Sequence, residues 1–196
     1  MTFQTLINRQ TSTAAPHEMG AGVVLGGFAI LHGTLAPEGC VVHPQAFSSQ
    51  VFDGPARVFC AAADAILAIQ SDRIRSTDIL IIRHDERDAD MNASDDMQLI
   101  SAALEAQGLD RVTIITDGKT GRTTEGAIIG QVTPAASAGG AIAYINDDDI
   151  IHVDIAARRI DVMADIDIRR GAKALRPGAK SFGALEKYAR LVASAR

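Results

Sequence analysis

The sequence predicts a mixed α/β domain in which a small barrel-like sheet is flanked by helices. Many short runs rich in Val and Ile are separated by turns that contain Gly, Pro or Asn, as in sheets built from short strands. Only two or three segments have the periodicity of a helix. Hydrophobic residues make up 47% of the 196 residues, which is enough for one packed core. We therefore expect a single domain over residues 21–196, preceded by a polar N-terminal arm over residues 1–20.

The first half of the chain is predicted to contain four strands and one helix. The strands are short and apolar, and they span residues 23–31, 40–42, 56–59 and 78–83. A turn that contains Pro37 and two glycines occupies residues 33–39, between the first two strands. The Ala-rich segment 61–70 has helical periodicity and follows the third strand.

The second half is predicted to contain two further helices and four further strands. A helix is expected to begin with Ser94 as its N-cap, to continue to about Gln107 and to end at Gly108. The predicted strands are residues 112–115, 141–145, 150–154 and 159–162. The last two alternate like a hairpin pair. A final helix is predicted over residues 181–195, where the helical period returns.

The most informative segment is the loop TDGKTGRTTEG at residues 116–126, directly after a predicted buried strand. It holds three glycines and four threonines, and glycine backbone together with hydroxyl groups suits the binding of a carboxylate or phosphate. We expect the ligand-binding part to comprise Asp117, Lys119, Thr120 and Gly121. The loop has no Ser, Cys or His, so the usual nucleophiles and bases are missing from it. The alternative hypothesis is that this loop only reverses the chain direction and binds no ligand.

Composition limits the compartment and the partners. The net charge of −5 and the pI near 5.5 argue against nucleic acid or an anionic membrane as the partner. No apolar run reaches the ~18 residues of a membrane span, and the N-terminus lacks a signal-peptide pattern, so we expect a cytoplasmic protein. The only cysteines are Cys40 and Cys60, which have no metal-site spacing and are expected to be small, half-buried hydrophobic residues.

Several segments together resemble one known family. They are GTLAPEGCVV at residues 33–42, GPARVF at 54–59, TDG from Thr116, and the long stretch GAIIGQVTPAASAGGAIAYINDDDIIHVDIAARRIDV at 126–162. In this order and spacing they resemble the C-terminal domain of the dihydroxy-acid, phosphogluconate and sugar-acid dehydratases. The resemblance covers roughly residues 23–162.

The resemblance implies a fold, an activity and cofactors. The fold would be a swivelling β/β/α barrel, as in the mobile domain of aconitase. The activity would be that of a hydro-lyase that removes water from a 2,3-dihydroxy acid or a sugar acid. In the family, a separate N-terminal domain carries the cysteines of an iron–sulfur cluster and most of the magnesium ligands. We therefore expect no cofactor in this chain alone, and an N-terminal dehydratase domain, supplied by another chain, as the partner.

Two departures from the family pattern put activity in doubt. The family loop has the order Thr/Ser-Asp-Gly-Arg-Phe-Ser-Gly, and its serine alkoxide is the base that removes the proton next to the carboxylate. The matching position here is Gly121, which leaves Thr120 and Thr123 as substitute hydroxyls. After the strand at 78–83 the family has a Gly-Gly-Pro-Gly-Met loop that ends in a magnesium-ligating Glu. Here that loop is absent, and Asp96 is the nearest match to the ligand.

Two hypotheses follow from these departures. In the first, the chain is a C-terminal dehydratase domain that is inactive alone: a subunit of a split enzyme, a fragment of a longer one, or a diverged remnant. In the second, it is a non-catalytic module that binds a small acid or assembles as a homodimer. Gly121 separates the two, because an enzyme subunit needs a base there and a binding module does not.

Overall fold

The computed structural model describes residues 27–83, 93–119 and 126–175. Within these ranges the chain forms one mixed sheet with helices around it. The strands are β1 (Ala29–Leu31), β2 (Gly39–Val42), β3 (Val51–Phe59), β4 (Ile79–Ile82), β5 (Thr113–Thr116), β6 (Ile128–Thr133), β7 (Ile150–Asp154) and β8 (Arg159–Val162). The α-helices are α1 (Ala62–Gln70), α2 (Ala93–Ala106) and α3 (Ile166–Leu175), and short 3₁₀ helices span Pro44–Ala46 and Ala141–Tyr144.

The sheet is nearly closed into a barrel. Its strand order is β1-β2-β6-β5-β4-β3-β7-β8, with four central strands parallel and the outer pairs antiparallel. The two edges meet where His32 N–H donates to the Arg158 carbonyl at 3.0 Å and Ile160 N–H donates to the His32 carbonyl at 3.0 Å. A mixed α/β domain with a barrel-like sheet is therefore confirmed.

The packing of β4 shows how the sheet divides two apolar cores. Ile79 and Ile81 point into the barrel interior, where all eight strands contribute buried residues. Leu80 and Ile82 point the other way and pack with the buried faces of α1 and α2. Both faces of β4 are thus covered, which explains its uninterrupted apolar sequence.

Most predicted elements are confirmed, with shifted bounds. The third strand begins at Val51 because its first half pairs antiparallel with β7. Helix α2 begins at Ala93, so Ser94 lies inside the helix and the N-cap prediction is wrong. Gly108 has φ 69°, as expected for the residue that ends a helix.

The predicted strand at residues 141–145 is wrong, since Ala141–Tyr144 form a 3₁₀ helix. Two arginine side chains donate hydrogen bonds to backbone carbonyls of this segment, in place of the N–H groups of a neighbouring strand. Arg83 Nη1 donates to the Ala143 carbonyl at 2.9 Å, and Arg169 Nη1 donates to the Tyr144 carbonyl at 3.1 Å. A five-residue apolar run cannot distinguish these conformations by its periodicity.

Strand β6, helix α3 and the short 3₁₀ helix Pro44–Ala46 were not predicted from the sequence. The predicted N-terminal arm, the start of the predicted first strand and the predicted helix at 181–195 lie outside the described residues. No helix in the described ranges is both long enough and apolar enough to cross a membrane.

Candidate functional site

The candidate site lies at the carboxyl edge of the parallel strands. The last residues of three neighbouring strands, Phe59, Ile82 and Thr116, are aligned in register. The residues that follow each strand therefore emerge at one edge, and among them are Arg83 and Asp117. Open parallel α/β sheets bind ligands at this edge because loops of different strands meet there.

The start of the 116–126 loop is fixed by three hydrogen bonds. Gly118 N–H donates to Thr116 Oγ1 at 3.1 Å, which forms a turn stabilised by the side chain. Gln131 N–H, from β6, donates to the Gly118 carbonyl at 3.1 Å. Ala136 N–H donates to Asp117 Oδ2 at 2.8 Å. The chain therefore leaves β5 in a set direction, and Lys119 follows as an exposed residue.

The loop after β6, residues 134–140, is compact. The Ala135 carbonyl accepts hydrogen bonds from Ala138 N–H at 3.1 Å and from Gly140 N–H at 2.9 Å. A Cβ atom at Gly140 would lie 1.8 Å from the Pro134 carbonyl oxygen, so the backbone approach is possible only for glycine. These contacts hold the Ala136 N–H in place.

The turn at residues 33–39 adjoins this loop on one side and β8 on the other. Towards β6, Glu38 N–H donates to the Thr133 carbonyl at 3.2 Å, and Thr133 Oγ1 donates to the Gly39 carbonyl at 2.6 Å. Towards β8, Thr34 N–H donates to Asp161 Oδ1 at 2.9 Å. The turn therefore joins the carboxyl edge of β6 to the far edge of the barrel.

Asp161 is a buried carboxylate held in its charged form. Burial alone would raise its pKa, but hydrogen bonds from Thr34 N–H and from the Arg159 guanidinium outweigh burial and hold the pKa below its usual value. The charged side chain thus fixes the 33–39 turn at neutral pH.

Arg83 is a cationic residue at the ends of β3 and β4, where its backbone N–H donates to the Phe59 carbonyl at 2.9 Å. Its Nη1 donates to carbonyls of residues 143 and 145, and its Nη2 lies 4.0 Å from Cys60 Sγ. Arg83 was not among the predicted site residues, although its position directly after the buried strand β4 is typical of a residue at the sheet edge. The prediction that both cysteines are half-buried is wrong, because Cys60 is exposed and Cys40 is buried. Burial raises the pKa of the Cys40 thiol to about 12.

The described residues do not fit a metal or cluster site by themselves. No group of three or more His, Cys, Asp or Glu side chains in the described ranges is arranged to hold a metal ion. Asp96 is half-buried near the start of α2. One carboxylate cannot satisfy the octahedral oxygen coordination of Mg²⁺.

The structure describes only part of the predicted ligand loop. Asp117 and Lys119 are described, and both lie at the carboxyl edge of β5. Thr120, Gly121 and Thr123 lie outside the described residues. Sequence reasoning missed the Ala136 N–H that binds Asp117, because a backbone donor carries no signature in the residue type.

Fold and site together define a mixed α/β barrel domain with a glycine-rich loop at the carboxyl edge of its parallel strands. Residues 21–196 match the model of the family described as dihydroxy-acid/6-phosphogluconate dehydratase C-terminal, and the chain belongs to that family. This match confirms the resemblance found in the sequence.

Full-length relatives share the domain. The chain is 40% identical over 174 residues to a dihydroxy-acid dehydratase of Leifsonia xyli, 39% identical to one of Arthrobacter sp. and 37% identical to one of Pyrococcus furiosus. Each alignment covers 87% of this chain and 30–31% of the relative. The chain thus spans about a third of the length of these relatives.

Proposed function

We propose that this domain is the C-terminal part of a dehydratase that removes water from a 2,3-dihydroxy acid or a sugar acid, and that it is inactive by itself. The observation that carries the proposal is the fixed start of the Gly- and Thr-rich loop at the carboxyl edge, beside the 33–39 turn. This arrangement occurs in a chain that belongs to a dehydratase C-terminal family.

In this proposal the loop binds the acid. The ammonium group of Lys119 pairs with the substrate carboxylate, since it is an exposed cation next to a fixed turn. Removal of the proton next to the carboxylate requires a base within hydrogen-bond reach. Gly121 has no side chain to act as one, and the hydroxyl of Thr120 or Thr123 is the substitute that the loop offers.

An N-terminal dehydratase domain completes the proposed enzyme. It would supply the iron–sulfur cluster and most of the magnesium ligands, whether it belongs to the same polypeptide or to another chain. Cys40 fits that division, because it is buried in the barrel core and is not available as a cluster ligand. Asp96 would be the one magnesium ligand from this side.

Reconstitution tests the proposal. The chain is mixed with the N-terminal domain of the Arthrobacter relative, and dehydration of a 2,3-dihydroxy acid is followed as formation of the 2-oxo acid. We expect turnover above that of the N-terminal domain alone, and none from the chain alone. Turnover equal to that of the N-terminal domain alone contradicts the proposal.

The second candidate is a non-catalytic module that binds a small acid or forms a homodimer. It is favoured by Gly121, since binding requires no base at that position. A cavity of about 400 Å³ between α2 and β5 is a poor place for the acid, because Glu105 and Asp110 are among its lining residues. The loop remains the better candidate for the ligand.

Two measurements address this second candidate. A thermal-shift screen with hydroxy acids and sugar phosphates should raise the melting temperature if the loop binds them. If none of these compounds changes the melting temperature, the result counts against a small-acid ligand in the loop. Light scattering tests the homodimer, and a monomer at all concentrations counts against assembly.

A further inference from the structure

We infer that Asp117 is a positioning residue: by binding the Ala136 N–H, it sets the direction in which the chain leaves β5 and so places the Lys119 ammonium for a carboxylate ligand. The ligand class rests on the proposed function. The positioning role rests on the contacts of Asp117, and its effect on binding depends on the proposed function as well.

Asp117 lies just beyond the paired residues of β5 and β6, next to Gly118, whose carbonyl accepts a hydrogen bond from Gln131 of β6. The strands pair in parallel at Ile114 with Ile128 and at Ile115 with Ile129. Beyond these pairs, the Asp117 Oδ2 to Ala136 N contact of 2.8 Å joins two loops that are 19 residues apart in the chain. Hydrogen bonds to a carboxylate are stronger than neutral ones, so this contact constrains the backbone around it.

The constraint acts on the Asp117 side because the partner loop is already fixed. Ala136 lies in a turn closed by Ala138 N–H and the Ala135 carbonyl, and Gly140 packs against Pro134 without room for a Cβ atom. Loss of the carboxylate would therefore leave the 134–140 loop in place. The turn after β5 would lose one of the three hydrogen bonds that fix it, and Gly118 would keep its bonds to Thr116 and Gln131.

A direct chemical role for Asp117 predicts different behaviour. Its Oδ2 already accepts the Ala136 N–H, and the side chain is half-buried. A positioning residue needs only an acceptor atom, which an asparagine also provides. A proton-transferring or cation-pairing residue needs the charge.

The test measures binding of D-glycerate, the simplest 2,3-dihydroxy acid, to the full chain by calorimetry. We expect Asp117→Ala and Lys119→Gln each to raise the Kd about tenfold, and Asp117→Asn to stay within about threefold of the wild type. The double variant Asp117→Ala/Lys119→Gln should be no more than about twofold weaker than Lys119→Gln alone, since Asp117 acts through Lys119.

Two further variants control for folding and for general charge effects. Ala136→Pro removes the N–H donor, and residue 136 is the second residue of a turn, where proline is favoured. It should weaken binding as Asp117→Ala does, while thermal unfolding stays cooperative. Asp110→Ala removes an exposed carboxylate before β5, at the opposite edge, and should leave the Kd unchanged.

The outcomes separate the inference from the proposed function. If the wild type binds glycerate but Asp117→Asn is as weak as Asp117→Ala, the positioning role is overturned. Independent, additive effects of Asp117→Ala and Lys119→Gln overturn it as well. If Lys119→Gln binds as tightly as the wild type, or if the wild type does not bind glycerate, the proposed acid-binding loop fails, and the role of Asp117 fails with it.

Discussion

Arg169 of α3 donates to both carboxylate oxygens of Asp149, with Nη2 at 2.8 Å from Oδ1 and Nη1 in contact with Oδ2. The same guanidinium also binds the Tyr144 carbonyl. One side chain therefore attaches α3 to both the 3₁₀ helix at Ala141–Tyr144 and the turn that precedes β7.

Replacing Arg169 should destabilise the domain. The hydrogen bonds from Arg169 lower the pKa of Asp149, as a cation does when it stabilises the charged form of a carboxyl group. Arg169→Met keeps much of the apolar stem and removes the donors, and we expect a loss of about 2–3 kcal/mol in urea unfolding at pH 7. Arg170→Met is the matched control, since its ion pair with Asp167 is exposed, and it should cost under about 1 kcal/mol. Equal losses for both variants would contradict this account.

Asp161 should make the stability depend on pH. The pKa of Asp161 is below its usual value in the folded protein. The contribution of Asp161 to the free energy of unfolding is therefore complete above the unfolded pKa of about 3.9, and it is lost as the pH falls through the folded pKa. We expect Asp161→Asn to be less stable than the wild type by an almost constant amount from pH 7 to about pH 4, and the difference to shrink below that.

Denaturant unfolding of both proteins across that range measures the effect. The control is Asp72→Asn, which removes one exposed carboxylate at a position with φ 55° that asparagine also accepts. A gap between Asp161→Asn and the wild type that widens on acidification would contradict the assigned direction.

The two cysteines should differ in reactivity. Cys60 is exposed, whereas Cys40 is 1% exposed and its pKa is raised to about 12 by burial. At pH 8 a disulfide reagent should therefore label Cys60 quickly and Cys40 only after denaturation. Mass spectrometry of digested, labelled protein identifies the site. Rapid labelling of Cys40 in the native protein would show that Cys40 is not buried in the barrel core.

Gly140→Ala should be strongly destabilising. The added Cβ atom would lie 1.8 Å from the Pro134 carbonyl oxygen, and backbone must move to relieve the contact. We expect a loss of about 3 kcal/mol or more in thermal or urea unfolding. Gly171→Ala, in α3 with no atom within 4 Å of the new Cβ, should instead gain about 0.5–1 kcal/mol from helix propensity. If neither substitution changes the free energy of unfolding, the compact conformation described for residues 134–140 is incorrect.

Sequence patterns predicted those parts of the fold that depend on side-chain periodicity. The DILIIR run predicted β4 because both faces of that strand are buried. The AIAYI run was assigned to the wrong conformation because its carbonyls bind Arg83, 60 residues from Ala143, and Arg169, 25 residues from Tyr144. Such contacts have no local signature. The same holds for the Asp117 contact with Ala136, which depends on a backbone N–H in another loop.

The central claim is that the loop at residues 116–126 is a dehydratase loop that lacks its base at Gly121. The most direct test compares Gly121→Ser with Gly121→Ala in the chain reconstituted with an N-terminal dehydratase domain. Both variants add a Cβ atom, and only serine adds a hydroxyl. We expect Gly121→Ser to raise kcat for a 2,3-dihydroxy acid by about 100-fold over Gly121→Ala, within the usual range for a positioned base. Equal kcat values for the two variants would contradict the claim.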